Sequence, residues 1–289
     1  MICNSCPRKC NIDREKTAGF CKSPAAFRVA RAALHFWEEP CISGKGGSGT
    51  VFFSGCNLKC VYCQNYEISS ENKGMEISDE RLVSIFESLI AQGAENINLV
   101  NPTHYALRLA DLLTRWKSPV PIVYNTSGYE SVETLRRLDG LVDIYLTDFK
   151  YSRSDKAKKY SAAEDYPETA KAALAEMRRQ VGDSFDEKGM MKSGMIIRHL
   201  VLPANTNSAL EVLDYLRENY KDTYISLMAQ YTPCGRLDGC PEINRHITKR
   251  EYNKVVDYAD SIGLDKVFLQ KLSSSDKNFI PAFDFTGIM

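Results

Sequence analysis

From Thr50 onward, short apolar runs alternate with segments whose apolar residues recur every three or four positions. The runs lie at Thr50–Phe53, Asn96–Val100, Pro121–Tyr124, Val142–Phe149, Met195–Leu202, Tyr224–Met228 and Lys266–Leu269, rich in Val, Ile, Leu, Phe and Tyr. Short, nearly continuous apolar character is what parallel strands covered on both faces require. The segments between them carry helix-end signals. Ser78 precedes Asp79-Glu80 and an apolar face of Leu82, Ile85, Phe86 and Leu89, and Gly93 follows. Thr248-Lys249-Arg250-Glu251 has the capping-box form ahead of Tyr252, Val255, Val256 and Ala259, with Gly263 beyond. Leu109, Leu112, Leu113 and Trp116 form another apolar face, as do Leu210, Leu213 and Leu216. Repeated βα units predict an α/β fold with a parallel sheet or barrel and right-handed crossovers. Six or seven units fall short of a complete eight-fold barrel.

Residues 1–49 lack this alternation and are expected to form a separate cysteine-rich cap and approach segment before the barrel of residues 50–289, which ends in a C-terminal extension. The polar stretch Gly182–Gly194 reads as a surface loop or hairpin. The glycine-rich run Gly44–Thr50 lacks the Gly-x4-Gly-Lys-Ser/Thr order of a phosphate loop and precedes its strand, so it reads as a flexible approach. Lys156-Ala157-Lys158-Lys159 is expected on a solvated helix face.

Composition narrows the classes. A hydrophobic share of 44% is ample for a continuous core in 289 residues. Lys+Arg and Asp+Glu balance at 37 each, so nucleic acid is not an expected partner. No stretch approaches the eighteen or so apolar residues of a membrane span, and Met1–Cys6 does not read as a secretory signal. Ten cysteines without such a signal point to a reducing cytoplasm, with metal ligands expected ahead of disulfides.

Three of those cysteines, Cys56, Cys60 and Cys63, stand in SGCNLKCVYCQN immediately after the first strand. Soft thiolates this close favour an iron–sulfur cluster, zinc or copper(I). Structural zinc sites usually take four ligands in two pairs, so three on one loop fit zinc poorly. Without a fourth cysteine in the loop, one iron of a cubane would keep an open coordination position.

The Cys-x3-Cys-x2-Cys spacing, with Tyr62 before the last cysteine, resembles the signature of the radical S-adenosylmethionine (radical SAM) enzymes. Glu38-Glu39-Pro40, Gly49–Cys56 and Cys63-Gln64-Asn65-Tyr66 extend the resemblance to homologues of pyruvate formate-lyase activating enzyme. The resemblance implies a partial (β/α)6 TIM-like barrel, a 4Fe-4S cluster on the three cysteines and S-adenosylmethionine on the open iron. It also implies reductive cleavage to a 5′-deoxyadenosyl radical that abstracts hydrogen. A low-potential donor such as flavodoxin or ferredoxin is the implied electron source. A glycyl-radical enzyme is the implied substrate, with another peptide or small molecule as the alternative. From a different class, a non-catalytic iron–sulfur or zinc protein for electron transfer or scaffolding would carry the same cysteines.

Chemistry in such barrels sits at the C-terminal strand ends. After the second strand come Asn101, Thr103 and His104, where relatives commonly carry Gly-Gly-Glu for the methionyl amino group. His104 is read either as orienting the cofactor or carrying a proton, or as a helix-start histidine satisfied by its own loop. Asn125 and Ser127 follow the third strand, in positions that the family uses for the methionyl moiety. Asp148 and Lys150, two apart, share a face, and match a Leu-Asp-Leu-Lys run of activating enzymes; a structural ion pair is the alternative. Arg198 and His199 are adjacent, so at most one points inward; the resemblance favours Arg198. Tyr231, after Gln230, stands where some relatives place a histidine.

A second group, Cys3, Cys6, Cys10 and Cys21, supplies four ligands for a closed centre, either zinc or a second 4Fe-4S cluster. A cap of about fifty residues has little core, so metal would supply much of its folding energy. A second cluster would instead relay electrons. Cys41, Cys234 and Cys240 remain; the latter two lie near the expected mouth and read as ordinary loop cysteines.

Overall fold

The computed structural model describes residues 2–235, 237–272 and 281–289. The chain enters its sheet through β1 (Phe27–His35), turns through α1 (Pro40–Ser43), and continues as β2 (Ser48–Phe53). The short α2 (Tyr66–Ser69) and β3 (Met75–Ile77) follow. The alternation is then α3 (Asp79–Ala91), β4 (Ile97–Val100), α4 (Ala106–Arg115), β5 (Ile122–Thr126), α5 (Val132–Arg136) and β6 (Ile144–Asp148). After it come α6 (Ser154–Ser161), α7 (Tyr166–Gln180), β7 (Ser184–Phe185), β8 (Met191–Leu200), α8 (Thr206–Tyr220), β9 (Tyr224–Met228), α9 (Lys249–Ser261) and β10 (Val267–Leu269).

All seven expected strands are present as one parallel run, β2-β4-β5-β6-β8-β9-β10. Six βα units and a last strand make up this part of the sheet, which stays open with β3 and β10 at its edges. One face packs on the helices. There Leu99, Tyr124, Tyr145, Ile197 and Leu227 meet Phe86, Leu109, Leu174, Leu213 and Val255, all fully buried. Each such side chain contributes roughly 1.5–3 kcal/mol on burial. The helix ends follow the sequence signals: Ser78 accepts from the Arg81 amide at 3.2 Å, and Thr248 and Glu251 form the reciprocal capping box. The Gly182–Gly194 stretch is a hairpin of β7 on β8.

Two expectations need correction. Residues 27–35 are sheet, not cap: β1 pairs antiparallel with β2 from His35↔Ser48 to Val29↔Phe53, so the sheet runs across residue 49. Half-buried Arg28, Arg31 and His35 break its apolar run, which masks the strand in the sequence. Nor is Gly44–Thr50 a loose approach. A Cβ on Gly46 would lie 2.4 Å from the Gly93 carbonyl oxygen, so the turn is closely packed. Just before it, Cys41 and Ile42 plug the inner face of the sheet against Val123, Ile144, Leu146 and Ile196. Residues 281–289 return to β1, where the Phe285 amide donates to Ala30 O and the Ala32 amide to Thr286 O. Phe283 rests on Phe52 of the inner face, with ring centroids 5.6 Å apart.

Candidate active site

The three-cysteine loop starts where β2 ends, with a glycine whose position requires one. Gly55 has φ +90°, and a Cβ there would fall 1.9 Å from Ser23 Oγ. The loop is pinned from several sides. Lys59 and Val61 amides donate to the carbonyls of Ser161 and Tyr160 at the end of α6, at 3.1 and 2.9 Å. The Asn57 amide donates to Tyr129 O at 2.7 Å, and Arg8 Nε donates to Asn57 O at 2.8 Å. Each thiol has a polar neighbour. The Leu58 amide donates to Cys56 Sγ (3.4 Å), Ser161 Oγ lies 3.0 Å from Cys60 Sγ, and Ser69 Oγ donates to Cys63 Sγ (3.2 Å). Behind Cys60 a hydroxyl chain continues from Ser161 to Tyr151 (2.7 Å) and Tyr62 (2.5 Å). Burial pushes the Cys56 thiol up to about 11 and Cys63 to about 12, and raises Cys60 as well. Metal binding there displaces thiol protons.

Below this loop the inner face of the sheet is polar at its C-terminal end. Register sets Asp148 of β6 beside Arg198 of β8, and Arg198 beside Ser226 of β9. Arg198 Nε donates to Asp148 at 3.0 Å and its terminal nitrogens reach Asn125 (2.7 Å) and Glu38 (3.4 Å). Lys150 donates to the other Asp148 oxygen at 2.5 Å. Burial alone would raise Asp148, but Lys150 and Arg198 hold its carboxyl below the usual range. Burial likewise opposes the charge on Lys150, and Asp148 more than restores it. Glu38 Oε1 accepts from Asn98 (3.1 Å) and Asn125 (3.2 Å). Burial raises the carboxyls of Glu38 and Glu39, with Arg198 opposing. Asn101, left-handed at φ 56°, donates to Gly55 O at 2.7 Å and lies 3.6 Å from the Cys56 sulfur. Ser127 Oγ is buried without a hydrogen-bond partner at the end of β5.

Cys3, Cys6, Cys10 and Cys21 line one small cavity, bordered by Asn57 and His104. Arg8 and Arg14 fasten this segment to the barrel. Arg8 stacks on Phe20 and reaches Ala162 O (2.7 Å), while Arg14 donates to the carbonyls of His104, Ser23 and Pro24. Among the described residues, no three His, Cys, Asp or Glu side chains converge on one point as the ligands of a single metal ion would.

Residues 50–187 match the Radical SAM superfamily. The chain carries a radical SAM domain. Across 276 residues it is 29% identical to an uncharacterised protein of Methanocaldococcus jannaschii, covering 92% of this chain and 76% of that protein. Its fold is similar to that of methylornithine synthase (TM-score 0.51, 13% identity, 74% of this chain and 68% of that one). It is also similar to the FeFe-hydrogenase maturase HydG from Carboxydothermus hydrogenoformans (TM-score 0.50, 14% identity, 80% and 56%). That likeness is one of fold, and the radical SAM family implies a 4Fe-4S cluster and S-adenosylmethionine. The donor set fits a cluster. Three thiols sit on one pinned loop, and a cubane takes each on a different iron, so convergence on a single point is not required.

Within the radical SAM site, Asn101, Asn125, Ser127, Asp148, Lys150 and Arg198 gather at the strand ends beneath the loop. Three other expected residues do not join them. Thr103 turns to the helix side and donates to Glu130 at 2.5 Å. His104 lies behind the loop, where its Nε2–H donates to Ser54 O at 2.7 Å and burial depresses it to about 3. The hydroxyl of Tyr231 is spent on Ile243 O (2.7 Å) while its ring packs on Tyr62. His199 also faces away, toward Phe149 O. Glu38, Glu39, Asn98 and Ser161 were missed by the sequence reading. Asn98 had a signal, since Asn96 and Asn98 interrupt an apolar strand at alternate positions. Glu38 and Glu39 stood out only as the Glu-Glu-Pro run of the resemblance, with no site role, because it is the fold of residues 36–47 that carries them inside.

Proposed function

We propose that this radical SAM enzyme holds its 4Fe-4S cluster on Cys56, Cys60 and Cys63 and S-adenosylmethionine over the polar strand ends. Bound there, the two cofactors supply a reductively generated 5′-deoxyadenosyl radical that takes a hydrogen atom from a substrate. Asn125, Asp148, Lys150 and Arg198 orient the cofactor's polar groups, Asn101 braces the loop through Gly55, and Ser127 offers a free hydroxyl. The pinned loop and the buried inner face keep water from a radical. The observation that carries this reading is the three-thiol loop standing at the rim of a buried ion network. Activation of a glycyl-radical enzyme rests on the sequence resemblance alone, as does a flavodoxin- or ferredoxin-type donor. Ten cysteines favour the cytoplasm, and among the described residues no helix is long and apolar enough to cross a membrane. The shared cavity of Cys3, Cys6, Cys10 and Cys21 supports a second centre, either zinc or a cluster.

Anaerobic reconstitution, dithionite reduction and assay for 5′-deoxyadenosine test the reading. The wild type is expected to form it from S-adenosylmethionine, and Cys56→Ala, Cys60→Ala or Cys63→Ala each to abolish it. A fully loaded, reducible wild type that forms none refutes the proposal. Wild-type levels from the triple variant refute the ligand assignment.

A further inference from the structure

Two buried acceptors of the inner face have no donor, while the one unpaired hydroxyl nearby, that of Ser127, stands at the end of β5. Glu38 and Glu39 precede the α1 plug, and Asp148 makes a third carboxylate in the network, against two cations, Arg198 and Lys150. Both cations are already engaged: Lys150 with Asp148, and Arg198 with Asp148, Asn125 and Glu38. Two acceptors are left over. Glu39 Oε2 and Asn98 Oδ1 are buried and have no partner, in side chains only 7% and 0% exposed. The Asn98 amide is not free to turn, because its nitrogen donates to Glu38. A buried acceptor left unsatisfied costs about 1–3 kcal/mol, more when charged. The region is not sealed: the Glu38, Asp148, Lys150 and Arg198 side chains each keep 12–15% exposure.

We infer that the floor of the site, formed by Glu38, Glu39 and Asn98, binds a protonated primary amine of the substrate. Three N–H donors and one positive charge are what an ammonium brings. Glu38 adjoins both side chains that carry the unpaired acceptors, Asn98 by a hydrogen bond and Glu39 as its neighbour in the chain. A neutral hydroxyl has one donor and leaves the surplus charge unmatched. Burial raises the carboxyls of Glu38 and Glu39 against the pull of Arg198, and an incoming cation would add to that pull. This inference rests on the radical SAM reading of the site, but it concerns the substrate end and not the thiols.

The test is calorimetric titration of reconstituted, oxidised protein saturated with S-adenosylmethionine. Pentylamine is compared with 1-pentanol, and Nα-acetyl-lysine amide with Nα-acetyl-norleucine amide, in sodium- and potassium-containing buffers. Pentylamine is expected to bind at least about tenfold tighter than pentanol, the return on charge-assisted hydrogen bonds. Preference for the lysyl compound over pentylamine would identify a peptide source, and the reverse a free amine. Glu39→Gln is expected to cut the amine preference to threefold or less, and Asn98→Ala to weaken amine binding about tenfold. Equal affinity for amine and alcohol overturns the inference, as does displacement of the amine by potassium at equimolar concentration. Failure of S-adenosylmethionine itself to bind in the first titration would instead refute the functional reading.

Discussion

Glu130 shows how a single side chain can set a pH response at a distance from the thiols. It is 1% exposed on the helix side of β5, where the hydroxyls of Thr103 and Thr126 donate to one oxygen and that of Tyr124 approaches the other at 3.5 Å. Burial pushes its carboxyl up to about 7 despite these donors. A carboxyl raised in the folded state stabilises below its unfolded value and loses that contribution as pH rises through the folded one. Wild-type stability is therefore expected to fall between about pH 4.5 and pH 7 by up to about 3 kcal/mol through this group. Glu130→Gln should remove the slope and be the more stable protein at pH 8. Urea unfolding at a series of pH values measures both, and parallel curves for the two proteins would refute the assignment. Thr103 was legible in the sequence as a polar residue at a strand end. Its turn toward Glu130 was not, because only the fold brings residues 103 and 130 together.

Among the elements, the segment before β1 depends most on a few bonds. Arg14 holds three carbonyls and lies 4.9 Å from the Tyr105 ring centroid, tying residues 2–24 to the turn that follows β4. Such charge-assisted bonds are each worth about 1.5–3 kcal/mol. Arg14→Ala is expected to raise amide hydrogen exchange across residues 3–24 at least tenfold while the amides of β4–β6 keep their protection. Unchanged exchange in the segment would show that other contacts hold it. The seven parallel strands could be read from their apolar runs because both faces of most are buried. β1 could not, since Arg28, Arg31 and His35 interrupt its apolar positions and its partner β2 is needed to define it. At the strand ends the polar residues were equally legible. Alternation told only that Arg198 and His199 face opposite sides, and it was the resemblance that favoured Arg198 as the inward one, where it lies.

For the whole molecule, two buried neutral histidines dominate the acid side. Burial depresses His104 to about 3 and His199 to about 4. A histidine lowered in the folded state contributes stability that is present above its unfolded value near 6.5 and lost as pH falls toward the folded one. In the Glu130→Gln background, where one opposing carboxyl is gone, the two histidines should contribute a loss of roughly 4 kcal/mol by pH 5, offset in part by the raised carboxyls of Glu38 and Glu39. Through the histidines, unfolding there should take up close to two protons, measurable from the pH dependence of the urea midpoint. A flat profile from pH 7 to pH 5 would contradict the neutral, buried placement of both. At this scale the division of labour along the chain also becomes visible. The superfamily match ends at residue 187 and begins at residue 50, yet Glu38 and Glu39 enter the inner face from before it and Arg198 from after it. The α1 plug is in effect an interchangeable stopper: two residues ahead of it can be rewritten without touching any thiol, so a lineage could trade one substrate for another while its radical source stays the same.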